Sequence, residues 1–286
     1  TMENVLRNPK ESYTKMLIRA VPSFSPRRRG STEKNPTVLR VDNLSKIYRT
    51  KTLMGRRRTV AAAQKVTIQV RQGETLGVVG ESGSGKSTLA RCVTRLIEPS
   101  GGQIFLGDQE IGNLRLRSFR HWRKRVQIIF QDPYRSLNPR RTIGEAIVEG
   151  PMNFGLSYKE AYQRSNELLN LVGIDPSAAN RFPHQFSGGQ RQRACIARAL
   201  AMEPELLIAD EPVSALDVSV QAQVLNLLTN LQSRFNLAIL FITHDLRVAA
   251  QVCDQIAVMY RGQIVEQGPV LQVFSEPTHQ YTKRLF

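Results

Sequence analysis

Gly80-Glu81-Ser82-Gly83-Ser84-Gly85-Lys86-Ser87-Thr88 is the stretch that decides the fold of this chain. It fits the pattern G-x-x-x-x-G-K-[ST], in which glycines let backbone N–H groups approach phosphate oxygens closely. A buried strand is predicted at 76–79 and a helix at 87–96, whose N-terminus adds partial positive charge. A plain Gly/Ser-rich turn would not need this strand and helix. We therefore predict that all nine residues contact a nucleotide, with Lys86 on the β- and γ-phosphates and the Ser87 hydroxyl on Mg²⁺.

Composition sets the broad class of the protein. The 286 residues suffice for one large domain or two small ones, and 41% of them are hydrophobic, as an ordinary core requires. No run of 18 consecutive apolar residues occurs, so no membrane span is predicted. The three cysteines, Cys92, Cys195 and Cys253, are scattered and form no C-x-x-C pair. This pattern predicts reduced cytosolic thiols rather than a disulfide framework or a metal site.

The net charge of +16 leaves several classes of partner open. Arginine and lysine cluster at 27–29, 56–58 and 120–125. Such clusters are typical of proteins that bind nucleic acid, and also of proteins that work beside an anionic membrane surface. A solvated surface would also account for them. Charge alone therefore does not decide between these classes.

Strands and helices alternate along most of the chain. Residues 1–36 have the composition of a tail and linker, and the regular pattern runs over 37–286. The pattern predicts a mainly parallel α/β sheet, an inserted helical subdomain at about 134–201 and a C-terminal tail at about 269–286. The predicted strands are 38–41, 75–79, 126–130, 206–209 and 238–242, with a hairpin at 256–265, and further helices are predicted at 191–201 and 217–231.

The two ends of the chain resemble each other. The stretch from Val5 to Leu17 matches the stretch from Val273 to Leu285 at a constant offset, and the matched positions share Val, Pro, Tyr, Thr, Lys and Leu. A repeat whose period is a whole domain suggests a tandem array. We therefore expect the tail of a preceding copy, a linker and one complete second copy. Chance similarity of two helical tails is the alternative.

A second chemical motif ends the predicted strand at 206–209. Asp210 and Glu211 follow this apolar run, where a strand would deliver Asp210 to the Mg²⁺ side of the phosphate loop. Glu211 lies one residue further and is placed to polarise a water for attack on the γ-phosphorus. Two acids after a strand also occur in simple turns. The presence of a phosphate loop in the same chain favours the catalytic interpretation.

A third motif is Ser187-Gly188-Gly189-Gln190, which opens the predicted helix at 191–201. Small residues at a helix start make a second anion-binding N-terminus. One chain has little use for two such sites on one triphosphate, but a dimer can use one motif to close the partner's site.

These motifs together resemble the ATP-binding subunit of ABC transporters, over about residues 36–286. The resemblance implies a P-loop NTPase fold of ABC type, with a mainly parallel core sheet, an antiparallel β subdomain and an inserted helical subdomain. It also implies ATP and Mg²⁺ as cofactors. Ser187, Gly188, Gly189 and Gln190 look like the signature motif that contacts ATP on the partner, with Phe186 where Leu is commonest.

The same resemblance implies roles for three further residues. Gln131 looks like the glutamine that touches Mg²⁺ and the attacking water, and His244 like the switch histidine that reaches the γ-phosphate. Tyr48 stands where the family places an aromatic ring on adenine. A structural histidine after a strand and an aromatic residue packed at a strand end are the alternatives for His244 and Tyr48.

Three stretches look like the peptide, nickel and opine importer branch of that family. They are 131–140, 215–223 and the tail 277–282, in which Gln280 replaces a proline. The branch implies ATP-driven import of a small, oligopeptide-like solute, from the cytoplasmic face of a bacterial inner membrane. Its expected partners are two transmembrane permease subunits, a second ATPase unit and, indirectly, a solute-binding protein. Nucleic acid is not an expected partner.

Two rival classes of protein share some of these features. A soluble tandem ABC ATPase acting on ribosomes or nucleic acid would suit the basic charge, but not the importer-like segment 131–140 or the tail. A kinase could share the phosphate loop, but it would not need Ser187–Gln190 or His244.

Overall fold

The fold is built on two β-sheets. The computed structural model describes residue 11 and residues 32–51 and 57–286. Most of the predicted tail and linker, residues 1–36, therefore lies outside the described residues. The strands are β1 (Thr37–Lys51), β2 (Arg57–Arg71), β3 (Thr75–Val79), β4 (Gly101–Leu106), β5 (Gln109–Glu110), β6 (Val126–Ile129), β7 (Leu206–Asp210), β8 (Ala238–Thr243), β9 (Gln255–Tyr260) and β10 (Gln263–Pro269).

Helices connect and cover these strands. They are α1 (Lys86–Val93), α2 (Leu116–Phe119), α3 (Pro133–Ser136), α4 (Ile143–Asn153), α5 (Tyr158–Leu171), α6 (Gly188–Leu200), α7 (Val218–Phe235), α8 (Leu246–Val252), α9 (Val270–Ser275) and α10 (Gln280–Leu285). Short 3₁₀ turns occupy Arg120–Lys124, Pro176–Asn180 and Pro183–Gln185. In the described part of the chain, no helix combines the length and the apolar character that crossing a bilayer requires.

The larger sheet has the order β10-β9-β3-β8-β7-β6. Its strands are parallel except β10, which pairs antiparallel with β9. The smaller sheet has the order β2-β1-β4-β5, and all its pairs are antiparallel. The predicted mainly parallel core sheet and the antiparallel β subdomain are both confirmed.

The core sheet is covered on both faces, which explains why its central strands read as continuous apolar runs. Every residue of β3, β7 and β8 is buried. Along β7, Leu207 and Ala209 pack into a core with the helices from α4 onward. Leu206 and Ile208 point the other way, into a core shared with α1 and the antiparallel sheet. The sheet is thus held rigidly between two layers.

Side-chain caps set the starts of the helices that follow β6. Thr142 before α4, Ser157 before α5 and Ser187 before α6 each form a capping box with an acid or amide three residues on. Each box satisfies two N–H groups that a helix start leaves unpaired. The Ser187 cap begins α6 at Gly188, three residues before the predicted start.

The end of the helix after the phosphate loop was predicted wrongly. The expected helix at 87–96 ends at Val93 in the structure. The Thr94 hydroxyl donates to the Ala90 carbonyl oxygen at 2.9 Å, and Arg95 adopts a left-handed φ of 54°. Because a left-handed residue cannot continue a right-handed helix, the chain leaves α1 at this point.

The three cysteines, all within the described residues, are buried and form no disulfide. Burial raises the pKa of the Cys92 and Cys195 thiols to about 11. Because the thiolate is the reactive form, both thiols are poor nucleophiles at neutral pH.

Candidate nucleotide-binding site

The site lies at one edge of the core sheet, where four parallel strands end. β3 runs into the phosphate loop, β7 ends at Asp210, and β8 is followed by His244. Gln131 follows β6 on the same edge. Since the carboxyl ends of parallel strands meet at one edge, residues far apart in sequence are brought together there.

Gly80 shows why the loop needs a residue without a side chain at its start. Its φ is 150°, and a Cβ atom built there would lie 2.1 Å from the Met259 carbonyl oxygen. A side chain at this position would have to displace the backbone of β9. The start of the loop therefore packs directly against the backbone of β9.

The Lys86 ammonium closes the loop from inside. Its Nζ donates to the carbonyl oxygens of Gly80 at 2.7 Å and Glu81 at 2.9 Å, and the residue is only 4% exposed. Burial lowers the pKa of Lys86, while the negative charges of Glu211 and Asp210 oppose that shift. The amine is thus a buried cation at the base of the loop, placed for an anionic phosphate.

Ser87 and Asp210 form a joined pair beside this cation. The Ser87 Oγ donates to Asp210 Oδ1 at 3.0 Å. Burial raises the pKa of Asp210, and the Ser87 hydrogen bond partly offsets that rise. A hydroxyl and a carboxylate are oxygen groups of the kind that Mg²⁺ accepts as ligands, so Ser87 and Asp210 could hold the ion. The donor set therefore fits the expected Mg²⁺, with Gln131 as a third candidate ligand.

Two side chains lie close to one carboxylate oxygen of Glu211, and Gln131 donates a hydrogen bond to it. Glu211 Oε2 lies 3.1 Å from Gln131 Nε2 and 3.1 Å from His244 Nδ1. Its backbone is left-handed, with a φ of 49°, and its N–H donates to the Ile242 carbonyl oxygen at 2.9 Å. Strain of this kind in a non-glycine residue clusters at functional sites, where the surrounding structure enforces it. The three residues therefore form one connected acid–amide–imidazole group.

A cavity of about 610 Å³ opens over these groups, a volume in the range of small-molecule sites. Most of the predicted loop residues line it, and so do the three residues of the Glu211 group. Ser84 and Asp210 are buried and do not line it. The lining residues are Ala62, Gly80, Glu81, Ser82, Gly83, Gly85, Lys86, Ser87, Thr88, Gln131, Glu211, His244 and Leu285.

The predicted second motif, Ser187–Gln190, lies outside this cavity. Ser187 Oγ accepts from the Gln190 N–H at 3.3 Å, and Gln190 Oε1 accepts from the Ser187 N–H at 2.9 Å. Gly189 is needed for packing, since a Cβ atom there would lie 2.4 Å from Val220 Cγ1 of α7. Ser187 and Gln190 themselves are exposed. Their contact with a partner's nucleotide stays a prediction.

Tyr48 also lies outside the residues that line the cavity. It is 36% exposed on β1, with Lys46 Nζ 5.2 Å from its ring centre. Stacking of this ring on adenine stays a prediction.

Sequence reasoning missed three residues at the site, which are Ala62 of β2 and two residues of the C-terminal tail. Leu285 lines the cavity, and the Tyr281 hydroxyl oxygen accepts a hydrogen bond from the Glu81 N–H at 3.1 Å. The tail was noted as a pattern of an importer branch, but nothing in that pattern says where α10 packs.

Two family models match the chain. A model of the ABC transporter family matches residues 63–214. A model described as the C-terminal region of oligopeptide/dipeptide transporters matches residues 1–56.

Curated relatives extend over more residues than this chain has. The glutathione import ATP-binding protein GsiA of Escherichia coli O157:H7 is 45% identical over 312 residues, which cover 100% of this chain and 50% of GsiA. The probable peptide ABC transporter ATP-binding protein y4tS of Sinorhizobium fredii is 52% identical over 227 residues, 79% of this chain and 64% of that protein. The chain thus spans about half the length of the first relative.

Solved structures share the fold. An ATP-binding cassette in a dimeric post-hydrolysis state bound to ADP and Pi has a TM-score of 0.73 at 27% identity, over 81% of this chain and 98% of that one. CbiO1 from Clostridium perfringens, part of an ABC transporter complex, has a TM-score of 0.72 at 28% identity, over 85% and 92% of the two chains.

Proposed function

Because this chain belongs to the ABC transporter family of ATP-binding proteins, we propose that it is an ATP-hydrolysing subunit that powers import of a small solute. The observation that best supports ATP hydrolysis is the position of the Glu211 carboxylate, which lies 3.1 Å from both Gln131 and His244 beside a phosphate loop. Phosphoryl transfer needs mainly positioned charges and an oriented water, and this group offers both.

The residues of the site divide the work between binding and reaction. The phosphate loop and Lys86 bind the β- and γ-phosphates of ATP. Ser87, Asp210 and Gln131 would hold Mg²⁺, which neutralises charge on the phosphates when bound. Glu211 polarises the attacking water, and His244 lies at hydrogen-bond distance from Glu211 to sense the γ-phosphate. Tyr48 is proposed to stack on adenine.

Import of a peptide-like solute is supported by the relatives and by the match to residues 1–56. GsiA is named for glutathione import, and y4tS is named as a probable peptide transporter protein. Glutathione is itself a tripeptide, so both names point to the same cargo class. We therefore infer that the cargo is a short peptide or a compound that resembles one.

The Ser187–Gln190 motif, in which Ser187 and Gln190 are exposed, supports pairing with a second ATPase unit. Two units would face head to tail and trap ATP between the phosphate loop of one and this motif of the other. Closure would pull on two transmembrane permease subunits through the loop at Gln131, and hydrolysis would reopen the pair. A solute-binding protein would deliver cargo from outside, which places this chain at the cytoplasmic face of a bacterial inner membrane.

A tandem arrangement would supply the second unit in the same polypeptide. Residues 1–56 match a C-terminal transporter region although they precede the phosphate loop, and residues 5–17 resemble 273–285. Both observations support our division into the tail of a preceding copy with its linker, at 1–36, and one ATPase unit at 37–286.

Purification of the full-length protein from its own cells in mild detergent, with mass spectrometry, tests the import function. Recovery of two multi-spanning permeases, with ATP hydrolysis stimulated by a peptide-loaded solute-binding protein, is expected. Recovery of ribosomal proteins or nucleic acid without any permease would overturn the proposal and favour the rival class of soluble tandem ATPases.

A further inference from the structure

The C-terminal tail reaches the phosphate loop through a single tyrosine. The Glu81 N–H donates to Tyr281 Oη at 3.1 Å, a contact between residues 200 positions apart. Tyr281 belongs to α10 and is 4% exposed. A buried tyrosine usually finds a partner for its hydroxyl, and here that partner is the first peptide of the loop.

The same peptide unit is held from its opposite side by Lys86. The peptide that joins Gly80 to Glu81 offers one N–H and one carbonyl oxygen. Tyr281 takes the N–H, and Lys86 Nζ donates to the Gly80 carbonyl oxygen at 2.7 Å. Hydrogen bonds at both ends of one peptide polarise each other and fix the orientation of its plane. The tail is therefore linked to the phosphate-binding amine through one rigid group.

The tyrosine ring is itself held firmly by the core sheet. It stacks on Tyr260, the last residue of β9, with ring centres 4.1 Å apart and an angle of 28° between the rings. In the hairpin turn after β9, the Gly262 N–H donates to the Ser84 carbonyl oxygen at 2.8 Å. The hairpin thus supports the phosphate loop directly and also carries the ring that contacts it.

Glu266 of β10 fastens the start of the tail to this hairpin. Its carboxylate accepts hydrogen bonds from the Thr278 N–H at 2.7 Å, the Thr278 hydroxyl at 2.9 Å and the His279 N–H at 3.0 Å. His279 in turn caps α10 by accepting from the Tyr281 N–H at 3.1 Å. These bonds leave Tyr281 little freedom to leave the loop while Glu266 is ionised.

We propose that Tyr281 is a positioning residue for ATP binding, which holds the Gly80–Glu81 peptide so that Lys86 and the phosphate loop keep their binding geometry. The inference rests on the proposed ATP site and adds the C-terminal tail to it. Docking of the tail then sets the affinity for nucleotide, and Leu285 closes one side of the same cavity.

Tyr281→Phe is the sharpest test, because it keeps the ring and its stack on Tyr260 while removing the acceptor. In the full chain, the Kd for ATP with Mg²⁺, measured by titration calorimetry, is expected to rise about 5- to 10-fold. KM should rise more than kcat falls. Tyr162→Phe is the matched control, since it also removes one tyrosine hydrogen bond, to Asn180 Oδ1 at 2.9 Å, and Tyr162 does not line the cavity.

Hydrogen exchange without nucleotide separates this inference from the proposed function. Peptides that cover 80–86 should exchange faster in Tyr281→Phe than in the wild type and in Tyr162→Phe. Unchanged exchange there, or faster exchange with unchanged ATP affinity, would overturn the inference. Failure of the wild type to bind ATP would instead contradict the proposed function. The exchange rates would still test whether the Tyr281 hydroxyl stabilises the phosphate loop.

A second variant guards against a folding defect in Tyr281→Phe. Glu266→Gln loosens the start of the tail without touching the ring and should raise the Kd for ATP in the same direction. Glu276→Gln, an exposed glutamate in the same tail, should leave it unchanged. Equal effects of the two glutamate variants would count against a role for tail docking.

Discussion

Glu211 Oε2 and His244 Nδ1 lie 3.1 Å apart, although 33 positions separate these residues in the chain. Glu211 is held in a left-handed backbone conformation after β7, and His244 directly follows β8. Since β7 and β8 are parallel neighbours, their ends bring the acid and the imidazole together. The position of the carboxylate is therefore set by the pairing of β7 with β8.

Replacement of Glu211 by glutamine should separate binding from reaction. Glutamine has nearly the same size as glutamate and can still contact Gln131 and His244. Its neutral amide does not polarise a water as a carboxylate does. We expect turnover to fall roughly 10²- to 10⁴-fold while ATP binding persists. Phosphate release and nucleotide titration on the same preparation measure both. Glu203→Gln, outside the cavity, is the control, and near-normal turnover in Glu211→Gln would show that another group serves as base.

Replacement of Asp210 by asparagine should stabilise the nucleotide-free protein. Burial raises the pKa of Asp210 above its ordinary value of 3.8, so its contribution to stability is greatest below that pH and declines as pH rises through the folded pKa. At pH 7 the wild type buries an ionised carboxylate at a cost in stability, which the neutral asparagine avoids. The variant should therefore melt at a higher temperature. The added stabilisation by ATP with Mg²⁺ should shrink, because the carboxylate ligand is gone.

Asp175→Asn is the control for that experiment, because it should change the melting temperature in the opposite direction. Hydrogen bonds from Ser177 lower the pKa of Asp175, so its ionised form stabilises the fold at pH 7. Its replacement should lower the melting temperature and leave the effect of ATP intact. If Asp210→Asn also melted lower, burial would not dominate at that carboxylate.

Two glycines of one loop should respond very differently to alanine. At Gly80 the new Cβ would lie 2.1 Å from the Met259 carbonyl oxygen, so Gly80→Ala should cost about 2–4 kcal/mol of unfolding free energy. At Gly83, with a φ of 82°, a Cβ would meet nothing within 4 Å. Gly83→Ala should cost only about 1 kcal/mol of backbone strain. Urea denaturation measures both, and equal losses would contradict the close approach at Gly80.

Acid should weaken the attachment of the tail through Glu266. Burial alone would raise the pKa of Glu266, but hydrogen bonds from Thr278 and His279 outweigh it and hold the pKa at about 2. Because the folded pKa lies below the ordinary 4.5, the stabilisation is present above pH 4.5 and is lost as pH falls toward 2. The stability difference between wild type and Glu266→Gln should therefore narrow over that interval. Chemical denaturation at a series of pH values measures this difference in unfolding free energy. A difference that stays constant with pH would contradict the role of ionised Glu266.

Short-range chemistry made part of the site predictable. The loop 80–88, the strand that ends at Asp210 and the Ser187 cap are each encoded within a few residues, because glycine freedom, apolar runs and capping side chains act locally. The helix after the loop was predicted three residues too long, since its end depends on the left-handed Arg95. The Arg95 guanidinium donates to the Leu114 carbonyl oxygen at 2.8 Å, a contact no local pattern reveals.

Sequence by itself determined the class of this protein and most of its chemical groups. The phosphate loop, the acids after β7, the Ser187 helix cap and the histidine after β8 all lie in short, recognisable patterns of the chain. The tertiary structure decided how these groups meet: Ser87 on Asp210, Gln131 and His244 on one oxygen of Glu211, and Tyr281 on the Glu81 N–H. The physical reason is distance along the chain, because contacts between residues 33 to 200 positions apart depend on how the sheets and the tail pack, which no short pattern encodes.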